Sequence, residues 1–75
     1  MSLPRYFFHV RHGNESIDHD GVELASDEEA KTLAVHTAAE LLQDLDGGFW
    51  SAPEWRTWVT DESGATICTL RFTAE

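Results

Sequence analysis

The chain is short of nearly every feature that usually announces a function. It has one cysteine, Cys68, so no disulfide can form within one chain and no multi-cysteine zinc site can be built. Basic residues are scarce too: five Lys plus Arg stand against fourteen Asp plus Glu, for a formal net charge of −9. Such a chain is repelled by polyphosphate unless its few cations are gathered in one place. No apolar run approaches the roughly 18 residues of a membrane span, and no charged-then-apolar opening of signal-peptide type is present. A cytoplasmic protein without membrane contact is therefore expected. With two prolines and no Gly- or Ser-rich tract in 75 residues, there is no linker, repeat or low-complexity segment at which to divide the chain.

What is present argues for a folded domain. Apolar residues make up 41 %, with three Trp and four Phe, which is not the composition of a disordered acidic tail. A core this small offsets the ordering entropy of the chain only narrowly, so a homodimer that buries further apolar surface is expected.

Tyr6-Phe7-Phe8-His9-Val10, ended by Gly13-Asn14, reads as a strand and a turn. Ile17 to Leu24 reads as a weaker second strand, interrupted at Asp18, Asp20 and Gly21, where a bulge or bend is expected. Ser26 before Asp27-Glu28-Glu29 has the spacing of a capping box. Ala30, Leu33, Ala34, Thr37, Ala38, Leu41, Leu42 and Leu45 then recur at helical steps, leaving Glu29, Thr32, His36, Glu40, Gln43 and Asp44 on the other side. The pattern predicts a helix over 27–45, stopped by Gly47-Gly48 with Pro53 beyond. Trp55 to Asp61 and Thr66 to Thr73 are the third and fourth strands, joined by the turn Asp61-Glu62-Ser63-Gly64. The order ββαββ predicts a two-layer α+β domain: a four-stranded antiparallel or mixed sheet with one amphipathic helix on one face.

Pro4-Arg5-Tyr6-Phe7-Phe8-His9-Val10-Arg11, Asp20-Gly21-Val22-Glu23-Leu24, Val59-Thr60-Asp61 with Gly64, and Leu70-Arg71-Phe72 together resemble a family of short proteobacterial, rhizobial-type proteins of unknown function. That family opens with a Met-Pro-Arg-Tyr-Phe-Phe-His-like signature. The resemblance implies a bacterial cytoplasmic protein and carries no activity with it. In that signature Met directly precedes Pro, whereas here Ser2-Leu3 intervene. Residues 1–3 are accordingly read as an expression scar and 4–75 as the single domain. At the helix start, Asp27-Glu28-Glu29-Ala30 is also similar to the corresponding opening in HicB-like antitoxins, an analogy of fold alone.

Few groupings suggest chemistry. Ser16-x-Asp18-x-Asp20-Gly21, with Asp27 further on, imitates a calcium loop. It lacks the first Asp, the terminal Glu and the preceding helix, and solvated turn acids explain it as well. His9, His12 and His19 could meet across a hairpin, but no carboxylate or cysteine spacing reinforces them, so no metal is expected. Cys68 alternates in step with Leu70 and Phe72, as a small buried hydrophobe does. With no phosphate loop, no Ser-His-Asp order and no paired-carboxylate cleft, neither an enzyme nor a cofactor is expected.

Strand parity is more informative, because alternate side chains point to opposite faces of a sheet. Tyr6, Phe8, Val10, Trp55, Thr57, Val59, Cys68, Leu70 and Phe72 form one nearly apolar set, expected to meet the helix. Phe7, His9, Arg11, Arg56, Trp58, Thr60, Ile67, Thr69 and Arg71 form the other. It gathers three of the five basic residues and no acid. The expected contact residues are Phe7, His9, Arg11, Arg56, Trp58, Ile67 and Arg71, with Trp58 and Phe7 as anchors. Three readings of that face are open. It could be a solvated surface whose Arg stems cover aromatics, an interface for a second copy or another protein, or an antitoxin-like or regulatory single-strand nucleic-acid surface. The protein-interaction module is preferred, nucleic acid is disfavoured by the net charge, and a small enzyme comes last.

Overall fold

The computed structural model describes residues 3–44 and 54–73. Its elements are β1 (Arg5–His12), β2 (Asn14–Ser16), β3 (Val22–Glu23), α1 (Asp27–Asp44), β4 (Glu54–Thr60) and β5 (Thr66–Thr73). All strand pairings are antiparallel, and the sheet order is β2-β1-β4-β5, with β3 also on β1. The domain is thus α+β, with one helix and a five-stranded antiparallel sheet. The expected helix stop at Gly47-Gly48 lies outside the described residues.

Of the second strand expected over Ile17 to Leu24 only Val22–Glu23 (β3) is formed, and a further short strand, β2, precedes it at Asn14–Ser16, beginning on a residue expected to turn; both lie on the outer edge of β1. β2 pairs with Val10–His12 and β3 with Arg5–Tyr6. The side chain of Asp18 explains the break. Its Oδ1 accepts the amides of Asp20 (3.1 Å) and Gly21 (3.2 Å), and its Oδ2 accepts the amide of Phe8 (3.1 Å), in the gap between the two pieces. An Asp that captures amides two and three residues on makes a turn where a strand would otherwise continue. Gly21 completes the turn with φ of +73°, and a Cβ there would lie 2.7 Å from the Arg5 side chain and 2.9 Å from both the Phe7 ring and the Tyr6 carbonyl.

The helix begins as its sequence predicts. Ser26 Oγ accepts the Glu29 amide at 3.3 Å, while the Glu29 carboxylate takes the Ala25 amide at 2.6 Å, one residue before the N-cap itself. Ala30, Ala34 and Ala38 are the fully buried residues of its inner face. A ridge of alanines lets the helix sit close on β4 and β5, where Trp55 and Val59 are also fully buried. Tyr6, Ala30, Ala34 and Val59 form the central cluster, bordered by Phe8, Leu24, Ile67, Cys68 and Leu70. Trp55 meets Phe72 with ring centroids 5.5 Å apart. Leu33, Leu41 and Leu42 are half-buried, and Glu29, Thr32, His36, Glu40 and Gln43 are exposed, as the helical periodicity requires.

At the helix start, Tyr6 Oη donates to Asp27 Oδ1 at 2.7 Å. That bond to a carboxylate, with burial and the charge of Asp27 adding to it, pushes the phenol up to about 12. Asp61 sets the β4–β5 turn by accepting the Ser63 hydroxyl at 2.6 Å and the amides of Ser63 and Ala65. The Ser63 hydroxyl, followed by these backbone donors, holds its carboxyl below the ordinary range against an opposing effect of burial.

Candidate functional site: the open sheet face

Register decides which side chains share the face away from the helix. Phe7 lies opposite Thr60, His9 opposite Trp58, and Arg11 opposite Arg56. Continuing across the sheet, Trp58 lies opposite Thr69 and Arg56 opposite Arg71. Arg11, Arg56 and Arg71 therefore form one continuous cross-strand row at successive spacings of about 4.8 Å. Like charges directly opposite one another destabilise a sheet.

The row also holds an acid that parity counting missed. Glu15 of β2 lies opposite Arg11, so the sequence across four strands is Glu15, Arg11, Arg56, Arg71. Among the described residues, no carboxylate lies within ion-pair distance of any of the three arginines. The ion pairs that are formed join Arg5 to Glu23 at 3.0 Å and Lys31 to Glu28 at 3.6 Å. Arg56 instead places its guanidinium 5.0 Å from the centroid of the Trp58 ring. Its Nε is buried without a hydrogen-bond partner. Arg56, Trp58, Thr66 and Thr69 line a shallow groove beside β5.

Two expected contact residues stand differently. His9 has its side chain on this side of the sheet but is only 7 % exposed. Its ring lies against Trp58 with centroids 5.3 Å apart, its Nε2 is 2.9 Å from Thr60 Oγ1, and its Nδ1 accepts the Asp18 amide at 3.1 Å. Because Nδ1 accepts, the proton of the neutral ring is on Nε2, which donates to Thr60. His9 thus supports Trp58 from the neighbouring strand.

Ile67 leaves the face altogether. Val59 lies opposite Cys68 and Thr60 opposite Thr66, so Ile67 is the extra residue of a β-bulge. The bulge reverses parity, packs Ile67 against the core cluster and puts Thr66 on the open face in its place. Phe7 remains on the face, half-buried where the Gly21 segment closes over it.

Sequence reasoning also missed Arg5. Its guanidinium reaches the Asp20 carbonyl (2.9 Å) and Glu23 (3.0 Å), and its amide donates to Glu62 (2.7 Å). It ties the 18–23 segment to β1 and is spent on the fold. The signal was the Asp-x-Asp-Gly spacing of Asp18, Asp20 and Gly21, which a calcium loop and an Asp-capped turn share.

The remaining chemistry is quiet. Burial pushes the Cys68 thiol up, partly opposed by Lys31, so the reactive thiolate is scarce. Burial raises Asp18, but the amides of Phe8, Gly21 and Asp20, with His9 nearby, outweigh it and hold the carboxyl below its ordinary value. Among the described residues, no three of His, Cys, Asp and Glu converge as metal ligands, and no helix is long and apolar enough to cross a membrane. Across the helix, Leu24 and Leu33 line an open depression edged by Glu28, Glu29, Thr32 and His36.

No curated protein and no solved structure matches the chain. A family profile does, over residues 5–73. The chain belongs to the family described as Domain of unknown function (DUF6894).

Proposed function

We propose that the chain is a protein-binding module whose contact surface is the open sheet face. Trp58 and Arg56 form its centre, Arg11 and Arg71 flank them along the row, and Phe7 lies further along the sheet. The observation that carries this reading is the arginine row itself: three cations in register, with no carboxylate of the described residues, Glu15 included, within ion-pair distance of them. Apart from the contact of Arg56 with the Trp58 ring, three cations side by side oppose one another in the fold, whereas a partner's carboxylates would neutralise them. Arg and Trp together are also the side chains on which binding energy concentrates. Binding rather than turnover is favoured by the thiol of Cys68, half-buried where full burial was expected and pushed up by desolvation, and by the use of both His9 nitrogens within the fold. Single-strand nucleic acid is the less favoured occupant, because among the described residues Trp58 is the one stacking ring lining the groove and Glu15 stands in the row.

The test is sedimentation of the wild type and Trp58→Ala over a wide concentration range, with Trp fluorescence followed on adding acidic peptides or oligothymidylate. Self-association or a peptide response that Trp58→Ala abolishes supports the reading. A monomer whose Trp58 responds to neither contradicts it. A response to oligothymidylate alone, falling steeply with salt, transfers the face to nucleic acid.

A further inference from the structure

The two edges of the sheet are treated differently. The outer edge of β1 is covered by β2, β3 and the Asp18 side chain. Among the described residues, β5 pairs with β4 alone. Its eight residues, Thr66-Ile67-Cys68-Thr69-Leu70-Arg71-Phe72-Thr73, include no proline and no lysine, the usual means of blunting an edge. Beyond the bulge, pairing with β4 runs without interruption from Cys68 to Thr73. Among the described residues nothing occupies the far side of β5, which presents a template for one more strand.

The charge row specifies what that strand carries. From the covered edge to the open one it reads Glu15, Arg11, Arg56, Arg71, so an acid terminates it on the β2 side and the unbalanced charge falls at β5. A strand added beside β5 would place one residue directly opposite Arg71 on the open face, and an acid there would close the row at both ends. The eight residues of β5 include no Asp or Glu, so a second copy of the strand would bring no acid of its own opposite Arg71 in any register.

Resting on the protein-binding reading above, we propose that the partner is an extended acidic segment of another protein, added antiparallel or parallel to β5 as a sixth strand. Main-chain hydrogen bonds along the edge hold it, a carboxylate meets Arg71 on the open face and balances the row that continues to Arg56, and its apolar side chains extend the core-side row beside Leu70 and Phe72. This is strand addition, in which the backbone supplies affinity and alternate side chains supply selection.

The experiment uses the full chain, labelled with ¹⁵N, and a blocked six-residue peptide, Glu-Val-Glu-Val-Glu-Val, with its Gln-for-Glu counterpart as control. The acidic peptide should slow amide exchange along β5 several-fold and shift the Arg71 and Trp58 indole signals. The Gln peptide should bind at least tenfold more weakly. Arg71→Gln should reduce the difference between the two peptides, and Arg71→Glu should transfer the preference to a Lys-Val peptide. Shifts at Trp58 and Arg56 with β5 exchange unchanged overturn strand addition while leaving the face as a binding surface. Concentration-dependent protection of β5 before any peptide is added overturns it in favour of a second copy. Tighter response to oligothymidylate than to the peptide, or no response to any probe, overturns it as well.

Discussion

The imidazole of His9 lies against the indole of Trp58, its cross-strand neighbour, centroids 5.3 Å apart and planes tilted by 35°, with both ring nitrogens held by the fold. One nitrogen is bound to Thr60 of β4 and the other to the Asp18 amide, so the ring joins the covered edge of the sheet to the centre of its open face. His9→Ala should lower stability by about 1–3 kcal/mol, since it leaves partially buried polar groups without partners. It should also shift Trp58 emission relative to the wild type. Chemical denaturation checks this, and a change below 0.5 kcal/mol would mean the ring is not a structural link.

Asp18 gives the fold an acid-sensitive edge. Its carboxyl is held below the ordinary value of 3.8, so its contribution to stability is present above that value and is lost as pH falls through the lower, folded-state value. Asp18→Asn should reduce stability at pH 7 and flatten the decline between about pH 5 and pH 2. Parallel acid-limb curves for the two proteins would contradict the assignment.

Tyr6 acts at the alkaline end. It is the one tyrosine in the sequence, so its ionisation can be followed alone by ultraviolet absorbance. The phenol is pushed up to about 12 by its bond to Asp27. The stability it contributes is complete below pH 10 and declines as pH rises from 10 towards 12. Asp27→Asn should bring the titration back towards 10, and an unchanged midpoint would show that Asp27 is not the cause.

Gly21 and Gly64 both have positive φ, of +73° and +88°, but only Gly21 is hemmed in. Gly64→Ala should cost about 1 kcal/mol from backbone strain alone. Gly21→Ala must in addition move the Arg5 side chain, the Phe7 ring or the Tyr6 carbonyl, the last of which is backbone. It should therefore be the more destabilising of the two by at least about 1 kcal/mol. Equal losses would show that the 18–21 turn yields easily.

Much of this was legible from the chain because it rests on periodicity and local chemistry. The three- and four-residue spacing from Ala30 to Leu42 marked the helix and its buried face, and Asp61 with Gly64 marked the hairpin turn. Alternation alone put Arg11, Arg56 and Trp58 on one face. What alternation could not reveal was register. One extra residue at Ile67 reverses parity and exchanges it for Thr66, and no residue type at that position signals a bulge. The shortening of the expected second strand to Val22–Glu23 depended on whether Asp18 bonds to solvent or to the Phe8 amide ten residues back, a long-range choice. Alternation set His9 on the correct face but could not show that it is only 7 % exposed, because its ring nitrogens are taken by Thr60 and the Asp18 amide, neither of them a neighbour in β1.

The central claim is that the row Arg11–Arg56–Arg71 serves contact with a partner and not the fold, and the most direct test needs no partner. Arg71→Thr removes one cation from the exposed edge while keeping a residue suited to a strand. Its unfolding free energy should be measured beside that of the wild type at low and high salt. The account predicts a variant more stable by about 0.2–1 kcal/mol at low salt, with the gap closing as salt screens the row. A variant less stable by more than about 1 kcal/mol, with a gap that salt leaves unchanged, would show that Arg71 is held by the fold, and would contradict the claim.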